Sequence, residues 1–224
     1  SKMVDMDKAL EGKFPEGLDL YPFQKVAVAF AEMSEGRCLI GDEMGIGKTI
    51  SAIGYAAIHP EARPVVVVCP ANVKFNWRKE LLKWLPNETV AVVSGMNDMK
   101  ATHVKQMALG KGASDKQAAT RKSSIEYLVS EGININTHIP DADFIVINYD
   151  LMAKYQDALI AKCPKMTILD ESHYIKNSGS KDKPVQRTQA TLNLCQYSPK
   201  VIALSGTAIS SIPKEFFNTL NLMR

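Results

Sequence analysis

The sequence predicts a doubly wound α/β fold, a mostly parallel sheet with helices on both faces. Three observations carry that expectation. Runs such as Val65-Val66-Val67-Val68 are apolar without alternation, so the strands they form are buried on both faces, as in a parallel sheet covered by helices. Apolar runs and helix-like stretches alternate along the chain, the order of repeated strand–helix units. Directly after the first run comes a glycine-bent turn, then a helical pattern beginning at Lys48, and open α/β sheets bind ligands where their strands end.

Taken in order, a helix-like stretch over 24–33 leads into a strand at 37–40 built on Cys38-Leu39-Ile40. A helix over 48–58 follows the glycine turn, and the four valines then give a strand at 65–69. Helical patterning over 72–85 precedes an apolar run at 89–93. Further on, the runs 143–147, 166–169 and 200–204 read as strands, with helices over 150–162 and 184–195 between them. No internal repeat appears. The segment 94–140 breaks the rhythm, with Gly, Ser, Asn, Lys and Thr, one helical patch at 117–130 and no convincing strand. It carries Lys100, Lys105, Lys111, Lys116, Arg121 and Lys122 against Asp98 and Asp115 before Glu126. Two readings stay open: a solvated insertion and a basic flap near nucleic acid.

At 224 residues the chain can bury a full core, in one large domain or two small ones. Its 46% apolar and 23% charged residues are those of an ordinary globular protein. The formal net charge of +3 permits an anionic partner without demanding one. Cys38, Cys69, Cys163 and Cys195 stand far apart with no C-x-x-C pair. They read as small buried hydrophobes in a reducing compartment, with a disulfide or zinc site as the lesser reading. No apolar run reaches the roughly 20 residues of a membrane span, and the start lacks a signal-peptide pattern. The expected location is the cytoplasm of a bacterial or phage-infected cell, or the nucleus if the source is eukaryotic.

The chemistry concentrates in two places. In Asp42-Glu43-Met44-Gly45-Ile46-Gly47-Lys48-Thr49 the strict G-x-x-x-x-G-K-[ST] pattern fails at its first position, which is Asp42. Its chemically central part survives. Gly45 and Gly47 let the backbone approach phosphate oxygens, and positive φ costs them little. Lys48 places a cation near the β- and γ-phosphates, the Thr49 hydroxyl can ligate magnesium, and the helix start aims amides at the anion. Met44, Gly45, Ile46, Gly47, Lys48, Thr49 and Ile50 are therefore the expected nucleotide-binding segment. The second place is Asp170-Glu171, delivered by Met166-Thr167-Ile168-Leu169 to the carboxyl edge of the sheet. Asp170 would hold the magnesium and Glu171 would orient and deprotonate an attacking water. ATP hydrolysis is the leading expectation, with Lys48, Asp170 and Glu171 as its catalytic groups.

DEMGIGKT, DESH and LSGTAI, in that order, resemble motifs I, II and III of the Swi/Snf family of superfamily two helicase-like ATPases. Leu20-Tyr21-Pro22-Phe23-Gln24 resembles that family's adenine-sensing Q motif, Val67 to Asn72 with Asn76-Trp77 its motif Ia, and Ile147 to Asp150 its motif Ib. Pro22-Phe23-Gln24 and the residues from His173 to Ser178 are nearest the annealing-helicase (HARP-like) members and their bacterial or phage relatives. The resemblance covers all but the basic segment and implies a RecA-like P-loop NTPase lobe over 1–224. It further implies a DNA translocase using ATP and Mg2+, with double-stranded or branched DNA as partner and a role in DNA repair.

By position, the resemblance assigns Gln24 to the adenine edge and His173, Ser205 and Thr207 to coupling. It sets Pro70, Asn72 and Tyr149 where the family touches or borders the DNA backbone, with turn and packing roles as the other open reading. Lys74, Arg78 and Lys79 follow motif Ia at spacings that share one helix side, read as a solvated face or a phosphate track. A second basic set, Lys176, Lys181, Lys183 and Arg187, meets the same two readings. Ala208 stands where the family usually has proline, and Ser210-Ser211 replace its common Gln-Asn, which loosens motif III. The family's second RecA-like lobe, with its arginine finger, is expected outside these 224 residues, leaving this lobe nearly inactive by itself. Rival readings are an RNA helicase lobe of the DEAD-box kind, a non-catalytic ATP-dependent interaction module and, poorly fitting, a P-loop kinase.

Overall fold

A computed structural model of the chain describes residues 5–41, 47–94, 137–175, 179–180, 183–184 and 186–206. The chain divides into two compact units, one formed by Ser1–Val92 with Asp141–Arg224 and the other by Val93–Pro140. Most of the second unit, with the helix expected at 117–130, lies outside the described residues.

The first unit is built on a six-stranded sheet of β1 (Arg37–Gly41), β2 (Val65–Cys69), β3 (Val90–Val92), β4 (Phe144–Asn148), β5 (Met166–Leu169) and β8 (Lys200–Ser205). Their order is β1-β8-β5-β2-β4-β3, and every pairing is parallel. The uninterrupted apolar runs end up inside: every residue of β2, β4 and β5 is buried, whereas β1 alternates and β3 is half-buried. Two-residue strands β6 (Gly179–Ser180) and β7 (Lys183–Pro184) form a separate antiparallel pair.

Helices cover both faces. α1 (Met6–Leu10), α2 (Pro22–Met33), α3 (Lys48–Ile58) and α4 (Lys74–Trp84) share one hydrophobic cluster with Val65, Val67 and Cys69 of β2 and the matching residues of its neighbours. Val66, Val68, Ile145, Ile147 and Leu169 alternate to the opposite face. There α5 (Met152–Ala161) and α6 (Gln186–Tyr197) pack on each other and bury Tyr155, Leu159 and Leu194. Gly54 lets α2 and α3 approach closely, because a Cβ there would meet Leu20 Cδ2 at 2.7 Å.

The structure corrects several expected bounds. The helix expected over 72–85 opens as a 3-10 turn, Ala71–Val73, before α4; the one over 150–162 opens the same way at Tyr149–Leu151. Helix α6 begins at Gln186, because Pro184 is instead paired with Gly179 in the β6–β7 ladder. α1 was not foreseen; Asp5 caps it by accepting the Lys8 N–H at 3.2 Å. Cys38, Cys69 and Cys195 are buried, and burial pushes each thiol up to about 12; Cys163 is exposed.

Candidate nucleotide site

A parallel sheet sends every strand end to one edge, and this edge gathers the two motifs. Gly41 is in register with Ser205, and Leu169 with both Ala203 and Val68. One strand, β8, separates the exit of β1 from the exit of β5, so the two exits stand about 10 Å apart at normal interstrand spacing. A side chain as long as lysine spans that gap.

On the β1 side, Met44, Gly45 and Ile46 lie outside the described residues. Gly47 follows in the left-handed region, at φ 76°, and caps α3. Its carbonyl accepts from Ile50 N–H at 2.9 Å and Ser51 N–H at 3.2 Å. A Cβ on Gly47 would meet Gln24 Nε2 at 2.5 Å, so the turn and the glutamine occupy adjoining space that only glycine leaves open. Lys48, Thr49 and Ile50 form the first turn of α3, half-buried.

Gln24 is buried at 4% exposure. Its Oε1 accepts the Tyr21 N–H at 2.9 Å, closing the start of α2, and its Nε2 donates to Gly47 O at 3.5 Å. With Pro22 at the first helical position, the local sequence explains the helix start. The amide keeps one donor hydrogen and further lone pairs for another group.

On the β5 side, three elements hold Asp170. Its N–H donates to Val68 O at 2.8 Å, its carbonyl accepts from Tyr149 OH at 2.8 Å, and its Oδ2 accepts from Trp77 Nε1–H at 2.8 Å. Burial raises the Asp170 carboxyl above the usual range; the Trp77 bond opposes this, Glu171 adds to it, and the Lys48 charge opposes it again. The shared sheet edge thus sets the ammonium of the first motif near the acid of the second. Glu171 sits at φ 49°, a backbone position that non-glycine residues occupy at a cost and that gathers at functional sites.

Behind the acids, Ser172 is fully buried and its Oγ has no hydrogen-bond partner among the described residues. His173 Nδ1 lies 3.1 Å from Glu171 Oε2 without the alignment of a hydrogen bond. Tyr174 stacks on Tyr149 at 5.5 Å and meets the His173 ring at a tilt, with centroids 5.0 Å apart. Ser205 is buried where β8 ends, beside Gly41, while Thr207 lies outside the described residues.

The residues expected along DNA separate. Asn72 is exposed, Arg78 half-exposed and Lys79 exposed. Lys74 is 5% exposed, and Pro70 is buried as the cap of a 3-10 turn. Tyr149 is buried, with its hydroxyl spent on Asp170 and its ionisation pushed up by burial. Tyr149, Lys74 and Pro70 are thus buried, which favours the packing reading over the contact reading for these three. In the second basic set, Lys176 and Lys181 lie outside the described residues, and Arg187 Nη1 pairs with Asp150 at 3.0 Å. Sequence reasoning missed Trp77 as a partner of Asp170; an indole amid the apolar positions of a helix signals burial but not its hydrogen-bond partner.

With this geometry in place, the chain matches the SNF2-related domain over residues 23–224. It is similar to the "SWI/SNF-related matrix-associated actin-dependent regulator of chromatin subfamily A-like protein 1" of Xenopus tropicalis, 32% identical over 208 residues, 93% of this chain and 18% of that protein. It is also similar to the "DNA annealing helicase and endonuclease ZRANB3" of Bos taurus, 30% identical over 202 residues, 88% of this chain and 15% of the relative. The chain thus spans under a fifth of the length of these curated relatives. In fold it is similar to the "Sulfolobus solfataricus SWI2/SNF2 ATPase core in complex with dsDNA", with a TM-score of 0.61 at 21% identity, covering 95% of this chain and 37% of that one. A family match running from the Q-motif helix through motif III, in a lobe with a parallel sheet, places the chain in the Swi/Snf family as an SNF2-related domain of the superfamily two ATPases.

Proposed function

We propose that this chain is the first motor lobe of a DNA-dependent ATPase that binds ATP with Mg2+ and translocates along duplex DNA. The observation that carries the reading is geometric: β1, which leads to Lys48 at the start of α3, and β5, which leads to Asp170, end on the same edge of the sheet with β8 between them. A triphosphate fits between a cation with helix amides on one side and carboxylates on the other.

The residues suit magnesium. In phosphate sites the ion keeps waters and takes one or two carboxylates plus substrate oxygens, and Asp170 with the Thr49 hydroxyl would be the protein's share. When bound, the ion supplies charge neutralisation on the β- and γ-phosphates. Lys48 holds the phosphate oxygens, and Gly47 lets the chain pass close to them. Glu171 orients the attacking water and takes its proton. Gln24 offers its remaining amide positions to the adenine, while its bond to Gly47 ties base recognition to the phosphate turn. His173 and Ser205 flank the acids and the exit of β8, suited to pass the nucleotide state onward, with Thr207 next in the chain.

On the DNA side, Asn72, Arg78 and Lys79 supply the accessible groups beyond motif Ia. An arginine finger is worth about 10³–10⁵ in rate, or roughly 4–7 kcal/mol of barrier. The lobe in isolation therefore binds nucleotide weakly and turns it over very slowly. The test is Lys48→Ala in a two-lobed protein carrying this lobe, measuring DNA-stimulated phosphate release. A loss of about 10²-fold or more is expected; unchanged turnover would remove the phosphate assignment.

A further inference from the structure

The chain has two tryptophans, both on α4 and both buried, yet their N–H groups meet different fates. Trp84 packs edge-on against Phe14 at 5.1 Å, and its Nε1 has no hydrogen-bond partner among the described residues. Trp77, 1% exposed, donates to Asp170 Oδ2 at 2.8 Å across 93 positions of sequence. Burial alone does not bring an indole to a carboxylate, since Trp84 is buried without one.

Two of the three bonds on Asp170 fix its main chain, to Val68 and from Tyr149. The Trp77 bond fixes the carboxylate itself, and the indole cannot follow a moving acid because Trp77 is packed in the core with Leu81. The residues after Trp77 turn outward: Arg78 is half-exposed and Lys79 exposed. One rigid helix therefore carries a basic outer surface and, one residue away, a hydrogen bond to the acid.

Resting on the ATP–Mg2+ reading above, we propose that Trp77 is a positioning residue: its indole N–H sets the orientation of the Asp170 carboxylate for the metal, and it ties that carboxylate to the exposed basic side of α4. Outer-shell donors of this kind typically change metal affinity 10–100-fold when lost. DNA phosphates drawn to Arg78 and Lys79 would shift α4 and, through the indole, the acid.

The test uses this chain with 15N-labelled indoles, whose two N–H resonances are told apart with Trp84→Phe. Adding Mg2+ with ADP is expected to move the Trp77 resonance and leave Trp84 in place, and ADP with a chelator moves Trp77 less. Trp77→Phe keeps a ring in the core and is expected to raise the Mg2+ concentration for half-maximal Mg2+-dependent ADP binding about 10-fold, with metal-free ADP affinity unchanged. A short DNA duplex added to the Mg2+–ADP complex moves the same Trp77 resonance. Binding of Mg2+ and ADP with Trp77 unmoved, or an unaltered Mg2+ requirement in Trp77→Phe, overturns this inference alone. A bound duplex that leaves Trp77 unmoved overturns the link to α4. Because the isolated lobe binds nucleotide weakly, the titrations run to millimolar Mg2+–ADP, and failure of the unaltered chain to bind even there overturns the nucleotide reading and this inference together. Should Trp77→Phe not fold, the resonance shifts in the unaltered chain decide.

Discussion

The two edges of the sheet are built on opposite terms. At the amino edge, Arg63 donates to Glu88 through Nε at 3.1 Å and Nη2 at 2.8 Å. Its Nη1 donates to Ala56 O at 3.0 Å and His59 O at 3.1 Å, and the guanidinium lies 4.6 Å over the Phe144 ring. Asp143 Oδ2 accepts the Thr89 N–H at 2.7 Å and hydroxyl at 2.6 Å, while Asp143 N–H donates to Thr89 Oγ1 at 2.9 Å. A cleft of about 400 Å³ opens there, lined by Arg63, Thr89, Asp143 and Lys162, but these groups already have partners. At the carboxyl edge, Asp170 is buried against its preference, Glu171 is strained, and Ser172 Oγ and His173 Nδ1 lack hydrogen bonds among the described residues. Saturated polar groups stabilise; under the nucleotide reading, the unsatisfied ones at the carboxyl edge are those a ligand would complete.

Two aspartates condense the contrast. The Thr89 hydroxyl bond holds the Asp143 carboxyl below its ordinary value, whereas burial holds that of Asp170 above it. Asp143 thus adds stability that is present above the unfolded-state value and lost as pH falls through its folded value. Asp170 has the reverse sign: its folded form keeps the proton to higher pH, so its cost is absent in acid and grows as pH rises through the folded value.

The largest effect that would break the contrast is on rate. Glu171→Gln in the two-lobed protein should lower DNA-stimulated phosphate release by about 10²–10⁴-fold while nucleotide still binds; retained turnover would leave the strained residue without its assigned work. Next comes the saturated edge. Arg63→Ala should destabilise the chain by about 2–4 kcal/mol in urea unfolding, because Glu88 and two carbonyls lose their donor. If stability were untouched, that edge would not be the structural one.

Smaller, and of opposite sign, are the two acid-to-amide changes. Asp143→Asn should cost about 0.5–1 kcal/mol at neutral pH, and the deficit should shrink as pH falls. Asp170→Asn keeps an acceptor for Trp77 and should raise Tm at neutral pH, by about 2–4 °C for each kcal/mol of burial cost relieved, with the gain vanishing in acid. Thermal melts across pH decide; two shifts of the same sign would dissolve the comparison.

Most of the sheet was legible because an unbroken apolar run has few alternatives to a doubly buried strand, and β2, β4 and β5 are such strands. Motif spacing located the site because a parallel sheet must deliver both strand ends to one edge. What escaped the sequence is set by distant partners. Tyr149 looks like a surface tyrosine until Asp170 is found against its hydroxyl, and helix spacing alone assigns Lys74 to a solvated side when it is buried. The left-handed turn at Glu171 has no local glycine or asparagine to announce it. Short 3-10 openings such as Ala71–Val73 share residue preferences with the helices they precede.

Among the described residues, the strand that feeds the glycine turn stands outermost in the six-strand order, hydrogen-bonded along a single flank to β8. Peeling an outer strand severs one ladder, while freeing an inner one severs two. The last residue of β1, Gly41, is paired with Ser205 at the end of β8. Under the nucleotide reading proposed above, the phosphate turn and motif III would therefore share one mechanical joint, the β1–β8 ladder.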